Sequence, residues 1–596
     1  MEKKADVVFE LSWEVCNKVG GIYTVVQSKA GQMVANYDSN YFLVGPFFPG
    51  KHNPEFSEEL PHDFCKNIIE DLKAEGIICH FGKWLIEGSP NVILVDFQEM
   101  LKKTNEIKKA LWDGYRVDSL RSSFEYDEPV AWAYACGKMI DALQSCMKGK
   151  KIVAHCHEWL AASALLYLKS NNPAIATVFT THATTMGRTL ANAQQELYSI
   201  WDTINADSEA QRYNVEPKHT LEKAAANTAD AFTTVSEITS MEAQRLLGKK
   251  ADVLLLNGLD IDTFPTIEQS AIKHSAQKER IKQFLTAYFF PYYDFDLENT
   301  LIYFLAGRYE FKNKGIDVLI SALGELNQKL KNNKDAKTIV VFIFVPGNIR
   351  NIKPEVLENK TYFQDIRDSI EEVKETTINN AMLDLLTNKK ITSDTLFDKT
   401  FLLEMKSKIK RFSKKGLPPL CTHDLASDDA ILNACHAAQL ENRKEDPVKV
   451  IYYPIYLSGA DGLLNLTYYE TMTGSHLGIF PSYYEPWGYT PLEAGALGVA
   501  SVTTDLSGFG RFFCNECVQE SIPGIYVLQR MHKNYQDTVK QLTEVMFNYQ
   551  SQSIQQRIQN KMQARRIASM CDWKNFVDNY IEAHNLAVEK SGKEKQ

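Results

Sequence analysis

Residues 476–495 read HLGIFPSYYEPWGYTPLEAG. The run LGIFPS has the length and apolar content of a buried strand, and the segment after it carries two prolines and a glycine. Gly488-Tyr489-Thr490 then leads into a helix predicted to start near Pro491, because proline suits the first helical position. Strand, stiff turn and helix start in that order make one β-to-α unit, and the free amides of such a helix start attract an anion. Glu485 lies in the turn and Glu493 in the expected first helical turn, so two carboxylates flank that site.

The same unit recurs on both sides of this stretch. Upstream, ADVVFEL, NYFLVGPF, NVILVDF, KIVAHCHEW, ATVFTTH, AFTTVS and ADVLLLNGL alternate with segments of helical periodicity such as residues 128–147 and 219–229. After a less regular, partly aromatic stretch near residues 265–299, a second series follows: LIYFLAG, TIVVFIFVPG, VKVIYYP, LGIFPS and ASVTTD. This rhythm predicts an α/β chain of two doubly wound domains facing a cleft, the first over residues 1–268 and the second over 300–574. Residues 354–443 interrupt the second series with charged, periodic sequence, which reads as a helical insertion suited to an oligomer contact.

Composition narrows the function. With 44% hydrophobic and 24% charged residues in 596, the chain is an ordinary multidomain globular protein. No apolar run approaches the roughly 20 residues that span a bilayer, and no secretory signal precedes the first strand, so no membrane partner and a cytoplasmic location are expected. A net charge of −9 argues against nucleic acid and leaves small ligands. Eleven scattered cysteines suit reduced, buried thiols, and the single CNEC pair, Cys514 and Cys517, reads as two such thiols. In AHCHEWL, strand alternation sends His155 and His157 to one face and Cys156 to the other, which suits a pocket lining better than a metal site. No metal is expected.

Ligands of open α/β folds bind beyond the carboxyl ends of the strands, and motifs gather there. KVGGIYTVV follows the first strand, with Gly20 and Gly21 opening a helix and Lys18 adding charge, although a glycine pair alone is more often a tight turn. AGRYEFKNKG follows the first strand of the second series and sets Arg308 and Lys314 as a clamp for a diphosphate. Neither GxGxxG after the first strand nor GxxxxGK[ST] is present, which argues against a dinucleotide oxidoreductase or a P-loop enzyme. Two carboxylates beside a phosphate site suit the hydroxyls of a nucleotide sugar.

KVGGIYTVV, TTHATTMGR, AGRYEFKNKG, LPPLCTHDL, HLGIFPSYYEPWGYTPLEAG and VTTDLSGFG, in this order, resemble the glycogen (starch) synthase family of the UDP-glucose-dependent animal and fungal type, over essentially the whole chain. The resemblance implies a GT-B fold with two Rossmann-like domains, in which residues 575–596 form a helix returning to the first domain. It implies retaining glucosyl transfer from UDP-glucose to an α-1,4-glucan such as glycogen, with no cofactor beyond the donor and a homo-tetramer as the assembly. Carried over residue by residue, it makes Glu485 the carboxylate at the reacting centre, Glu493 the ribose contact, and Arg308 and Lys314 the pair that stabilises departing UDP. Tyr468 matches the aromatic that stacks on uracil, Gly20 and Gly21 the glycine turn near the donor, and His182 and Arg188 the glucose-pocket lining. Of two routes to retention, same-face attack and a covalent intermediate, we expect the first, with Glu485 as an electrostatic stabiliser.

The departures are informative too. The phosphorylated extensions that the resemblance implies at both ends are expected to be lacking. The arginine-rich helix that binds glucose 6-phosphate corresponds to RIQNKMQARRIASMCDWK, which keeps Arg557, Lys561, Arg565 and Arg566 but has Gln or Met at other positions. A weak or absent response to glucose 6-phosphate is therefore predicted. The rival readings are a GT-B transferase with a small acceptor, of the trehalose or sucrose synthase kind, and a catalytically dead glucan-binding subunit.

Overall fold

The computed structural model describes residues 2–51, 53–60, 66–333, 335–425, 428–514 and 522–593. Cys517 of the CNEC pair lies outside them. The first domain is built on nine strands: β1 (Val7–Leu11), β2 (Tyr41–Pro46), β3 (Phe56–Glu58), β4 (Ile78–Trp84), β5 (Asn91–Asp96), β6 (Ile152–His157), β7 (Ala176–Thr181), β8 (Ala231–Thr234) and β9 (Val253–Leu254). They lie in the order β3-β4-β5-β2-β1-β6-β7-β8-β9. All neighbours pair in parallel except β3 with β4 and β4 with β5. The seven runs read from sequence are all strands here. The antiparallel edge formed by β3 and β4 was not read.

The second domain carries β10 (Leu301–Ala306), β11 (Ile339–Phe344), β14 (Val448–Tyr452), β15 (Leu477–Ile479), β16 (Ala500–Thr504) and β17 (Ile525–Leu528), in the all-parallel order β14-β11-β10-β15-β16-β17. Between them, β12 (Ile349–Ile352) and β13 (His423–Leu425) form a small antiparallel pair at the base of the insertion. Numbered by appearance within the sheet, the six strands stand 3-2-1-4-5-6, and the parallel strands of the first sheet begin with the same order. That is the doubly wound order of dinucleotide-binding folds, used twice.

Both faces of both sheets are covered, which is why the strands read as unbroken apolar runs such as IVVFIF in β11. One face of the first sheet packs the helices Phe124–Gln144, Glu158–Asn171 and Glu216–Thr228. The other packs Gly21–Tyr37 and the last helix, Trp573–Lys593. Trp573 of that helix is buried and donates its indole N–H to Ser28 Oγ at 2.8 Å. In the second domain, Ile316–Lys331 and Tyr535–Ser551 cover one face and Ile267–Phe289 the other. The stretch read as irregular near residues 265–299 is thus largely a helix, closed at its start by a capping box between Thr266 and Gln269. The insertion is helical, with Pro354–Glu372, Lys374–Leu386 and Lys399–Phe412 as its main elements.

Candidate active site

The strand order reverses between β1 and β6 in one sheet and between β10 and β15 in the other. Chain leaving the carboxyl ends of these four strands has nowhere to pack except the crevice between diverging connections. Residues 12–20, 157–158, 307–315 and 480–488 are those segments, and of the residues singled out above they hold Lys18, Gly20, Arg308, Lys314, Glu485 and Gly488.

Lys314 and Glu485 meet there, with Lys314 Nζ 2.6 Å from Glu485 Oε2. Their side chains are 18% and 21% exposed, so the pair is shielded yet open to a ligand. The backbone fixes the encounter. Tyr483 N–H donates to the Asn313 carbonyl at 2.8 Å, Gly508 N–H donates to the Glu485 carbonyl at 3.1 Å, and Arg530 Nη1 donates to the Pro481 carbonyl. Ser482 Oγ donates to Glu485 Oε2 at 3.3 Å. Gly488 takes φ +108°, where a Cβ would lie 2.7 Å from Ser507 Oγ, so a glycine is required at this turn. The helix after it is Tyr489–Ala496, starting two residues earlier than read. Pro491 is therefore third in the helix, where its missing N–H still costs no intrahelical bond, and Glu493 belongs to the second turn. Lys314, Ser482, Glu485, Thr490 and Pro491 line a cavity of about 10 Å³, room for one water.

Glu493 accepts hydrogen bonds from Tyr468 at 3.1 Å and from Tyr469 at 3.0 Å. Tyr469 was not singled out in the sequence, where LTYYE offers two adjacent tyrosines and no means of choosing between them. Burial raises the Glu493 carboxyl to about 7, with the two phenols pulling the other way. Arg308 does not join the pair. It is 77% exposed and bonds Glu310 at 2.8 Å.

The wall contributed by the first domain differs from the expectation at one point. The amides of Gly20 and Tyr23 are not free for an anion, because Glu14 Oε2 accepts both at 2.8 Å. A Cβ on Gly20 would sit 2.9 Å from Glu14 Oε1, so the glycine turn accommodates a protein carboxylate. Lys18 is exposed nearby, its ammonium 5.4 Å from the Tyr23 ring. Arg188 is exposed on its solvent side yet sits among acids: partial desolvation opposes its charge, and Glu158, Tyr484, Glu222 and Glu242 more than restore it. Glu242 ties the two domains together, accepting from Thr184 Oγ1 and, across the cleft, from Tyr484 OH at 3.1 Å. Asn313 to Asn192 at 2.9 Å is a second bridge between the domains. His182 follows β7, its amide held by Glu158 Oε1 at 2.7 Å and its Nε2 2.9 Å from His157 Nδ1.

Residues 10–595 match the family model for glycogen synthase. The chain belongs to the glycogen synthase family. It is 36% identical to the liver glycogen [starch] synthase of Rattus norvegicus over 590 residues, 98% of this chain and 84% of the relative. It is equally identical to glycogen [starch] synthase isoform 2 of Saccharomyces cerevisiae over 611 residues, 98% of this chain and 86% of that one. Among solved structures, the catalytic domain of starch synthase IV from Arabidopsis thaliana, bound to ADP and acarbose, superposes with a TM-score of 0.52 at 13% identity, covering 98% of this chain and all of the other. That likeness supports the fold: two Rossmann-like domains in the GT-B arrangement.

In this glycogen synthase family member a second cavity, of about 630 Å³, opens between helices Ile267–Phe289 and Ile554–Met570. Arg557, Lys561 and Arg565 line it, whereas Arg566 is exposed and does not. The sequence reading missed Lys278, Lys337, His274 and His476, which line it as well. They come from segments far apart in the chain, and only the fold collects them. Burial, with Lys278 and Arg557 close by, brings the Lys561 ammonium down to about 7. No helix among the described residues is long and apolar enough to cross a membrane.

Proposed function

We propose that the protein is a retaining glucosyltransferase that moves glucose from UDP-glucose to the 4-hydroxyl at the non-reducing end of an α-1,4-glucan. The observation that carries this is the Lys314–Glu485 pair at the start of the Tyr489–Ala496 helix, at a strand-order reversal, in a chain of this family. As the bond from the anomeric carbon to UDP breaks, negative charge grows on the phosphate and positive charge on the sugar ring. Lys314 and the amides of Tyr489 and Thr490 are set for the first, and the Glu485 carboxylate for the second. Arg308, on a mobile-length side chain at the rim, adds to the phosphate side when it exchanges Glu310 for the ligand. Glu493 takes the ribose hydroxyls, and Tyr468 the uracil. Lys18, Gly20 and Gly21 border the donor, while His182 and Arg188 line the sugar pocket. The scheme needs no metal and no cofactor beyond the donor.

A small acceptor of the trehalose or sucrose synthase kind is not favoured, since the family and the relatives are glycogen synthases. We also propose a cytoplasmic location and a homo-oligomer, a tetramer, joined through the insertion at residues 354–443, whose helices leave Ile378, Leu383, Leu386 and Leu403 exposed. The domain limits 1–268, 300–574 and 575–596 are proposed with it. The test is UDP release from UDP-glucose with and without glycogen, with ADP-glucose as parallel donor. Glycogen-dependent turnover preferring UDP-glucose is expected, and equal rates without glycogen defeat the acceptor assignment.

Glu493 adds a pH dependence. With its carboxyl near 7, it is mostly protonated at pH 6 and ionised at pH 8, and the ionised form is the stronger acceptor for the ribose hydroxyls. The KM for UDP-glucose is expected to fall severalfold from pH 6 to 8, and Glu493→Gln to flatten the profile. A flat wild-type profile contradicts the assignment. The same shift lowers fold stability as pH rises from the ordinary carboxyl range through about 7, because the folded state keeps a proton that the unfolded chain releases.

The cationic cavity is proposed as an anion site of modest affinity, since Lys561 is only half charged near pH 7 and Met562 stands in its lining. Sulfate, a dianion throughout the range, is expected to raise the melting temperature more at pH 6 than at pH 8. Lys561→Met should remove that difference, and a difference that survives in the variant assigns it elsewhere. Glucose 6-phosphate activation is expected to be weak for the same reason.

A further inference from the structure

Behind His182 a buried polar chain runs into the core of the first domain. Glu10 in β1 is fully buried, and Lys29 from helix Gly21–Tyr37 donates to both its carboxylate oxygens, at 2.6 Å to Oε2. Tyr41 OH donates to Oε2 at 2.6 Å. Burial alone would keep Glu10 protonated, but Lys29 and His157 outweigh it and hold the carboxyl well below its usual range. The carboxylate is an acceptor only. Its Oε1 lies 2.6 Å from His157 Nε2, a separation at which two acceptors cannot meet, so Nε2 carries a proton.

His157 stacks on His155 with ring centroids 4.4 Å apart, and His155 in turn meets Thr180 Oγ1 at 2.6 Å and His584 at 3.2 Å. Glu10, His155 and His157 offer ligand atoms within 4.8 Å of one another, but the Lys29 ammonium already fills the place of a cation. Burial, opposed by Glu10 and aided by Lys29, lowers His157 below its ordinary value, so its ring is neutral at pH 7. A neutral ring protonated on Nε2 has its lone pair on Nδ1. That Nδ1 lies 2.9 Å from His182 Nε2, which must therefore be the donor. Burial and His157 keep His182 neutral too. Its remaining nitrogen, Nδ1, is left with a lone pair, and among the described residues no protein group bonds it.

We propose that Glu10 and His157 are positioning residues that fix His182 as the tautomer with an unprotonated Nδ1, which accepts a hydrogen bond from a hydroxyl of the donor sugar. The assignment rests on the transferase reading for its role but not for its geometry. The chain begins at Lys29, so a buried ammonium in the core of the first domain decides which way a hydrogen bond in the sugar pocket points.

The experiment has two arms. Side-chain ¹⁵N spectra of the unliganded protein, with the His182 signals assigned by their loss in His182→Ala, are expected to show a pyridine-like Nδ1 and a protonated Nε2 at pH 7.5. Glu10→Gln, whose amide can donate where the carboxylate only accepts, is expected to give a mixture of tautomers. In the second arm, kcat/KM for UDP release with glycogen should fall about tenfold in Glu10→Gln, the scale of one lost hydrogen bond, and by less than about twofold when His182→Ala is already present. A protonated Nδ1 in the wild type overturns the proposal, as does a Glu10→Gln loss of equal size in both backgrounds, which would mark a structural role. If Glu10→Gln does not fold, the wild-type spectrum decides. Absence of glycogen-dependent turnover in the wild type would defeat the transferase reading, and the spectra would still read the tautomer.

Discussion

Lys314→Ala is expected to lower kcat for UDP release by about 10²–10³-fold, the scale of removing one preorganised charge-stabilising donor, with little change in the KM for UDP-glucose. The reason lies in where the ammonium sits. It is 18% exposed, held 2.6 Å from Glu485, and placed at the start of the Tyr489–Ala496 helix, so its charge acts in a site from which most water is excluded. The ground-state donor shares its diphosphate charge with the helix amides and the rim, whereas charge that develops on bond breaking falls beside Lys314. An interaction that strengthens only in the transition state appears in kcat and not in KM. Glu485→Ala should produce a loss of the same order. The double variant should lose much less than the product of the two, because each side chain holds the other in place. Turnover at saturating donor and glycogen is the measurement. A kcat within tenfold of wild type, or an effect confined to KM, would move the catalytic charge away from Lys314.

Much of this arrangement is legible in the sequence, for identifiable reasons. The strands of both sheets are buried on both faces, so they stand out as apolar runs, and the glycines and prolines of the PSYYEP and FKNKG turns mark where the chain leaves them. Features were missed where the signal is non-local or split. β3 and β4 form a half-exposed antiparallel edge, and ICHFGKW looks no more like a strand than its flanks. Helix Ile267–Phe289 buries only its second half, with Ile281, Phe284, Leu285, Tyr288 and Phe289, while its first half is polar; its TIEQ capping box was the available clue. In the site, Arg308 and Lys314 look alike in AGRYEFKNKG, yet the turn that ends at Gly315 sends one to the rim and the other onto Glu485. The occupation of the glycine turn by Glu14 and the chain from Lys29 to His182 join residues that are close only after folding.

Gly315→Ala should disable the site from outside it. Gly315 takes φ +66° at the start of helix Ile316–Lys331, and a Cβ there would lie 2.0 Å from the carbonyl oxygen of Pro481. The left-handed conformation alone costs an alanine about 1–2 kcal/mol, and the overlap requires a shift of roughly 1 Å, since ordinary contacts begin above 3 Å. Neither side yields easily. Helix Ile316–Lys331 is anchored by Ile316, Leu319, Leu323 and Leu326 in the core, and the Pro481 carbonyl is held by Arg530. The weaker element is the loop of residues 481–488, which carries Glu485, so the strain is expected to be relieved there. A displacement of that size separates Glu485 from Lys314, and misplacing reacting groups by about 1 Å costs on the order of 10²-fold in rate. The variant is therefore expected to remain folded, with a loss of about 3 kcal/mol in stability at most sites of relief and a kcat reduced about 100-fold. Thermal unfolding and UDP release on the same preparation separate the two effects. Full activity in Gly315→Ala would show that the loop absorbs the methyl group without moving Glu485, and that the turn is not what holds the catalytic pair together.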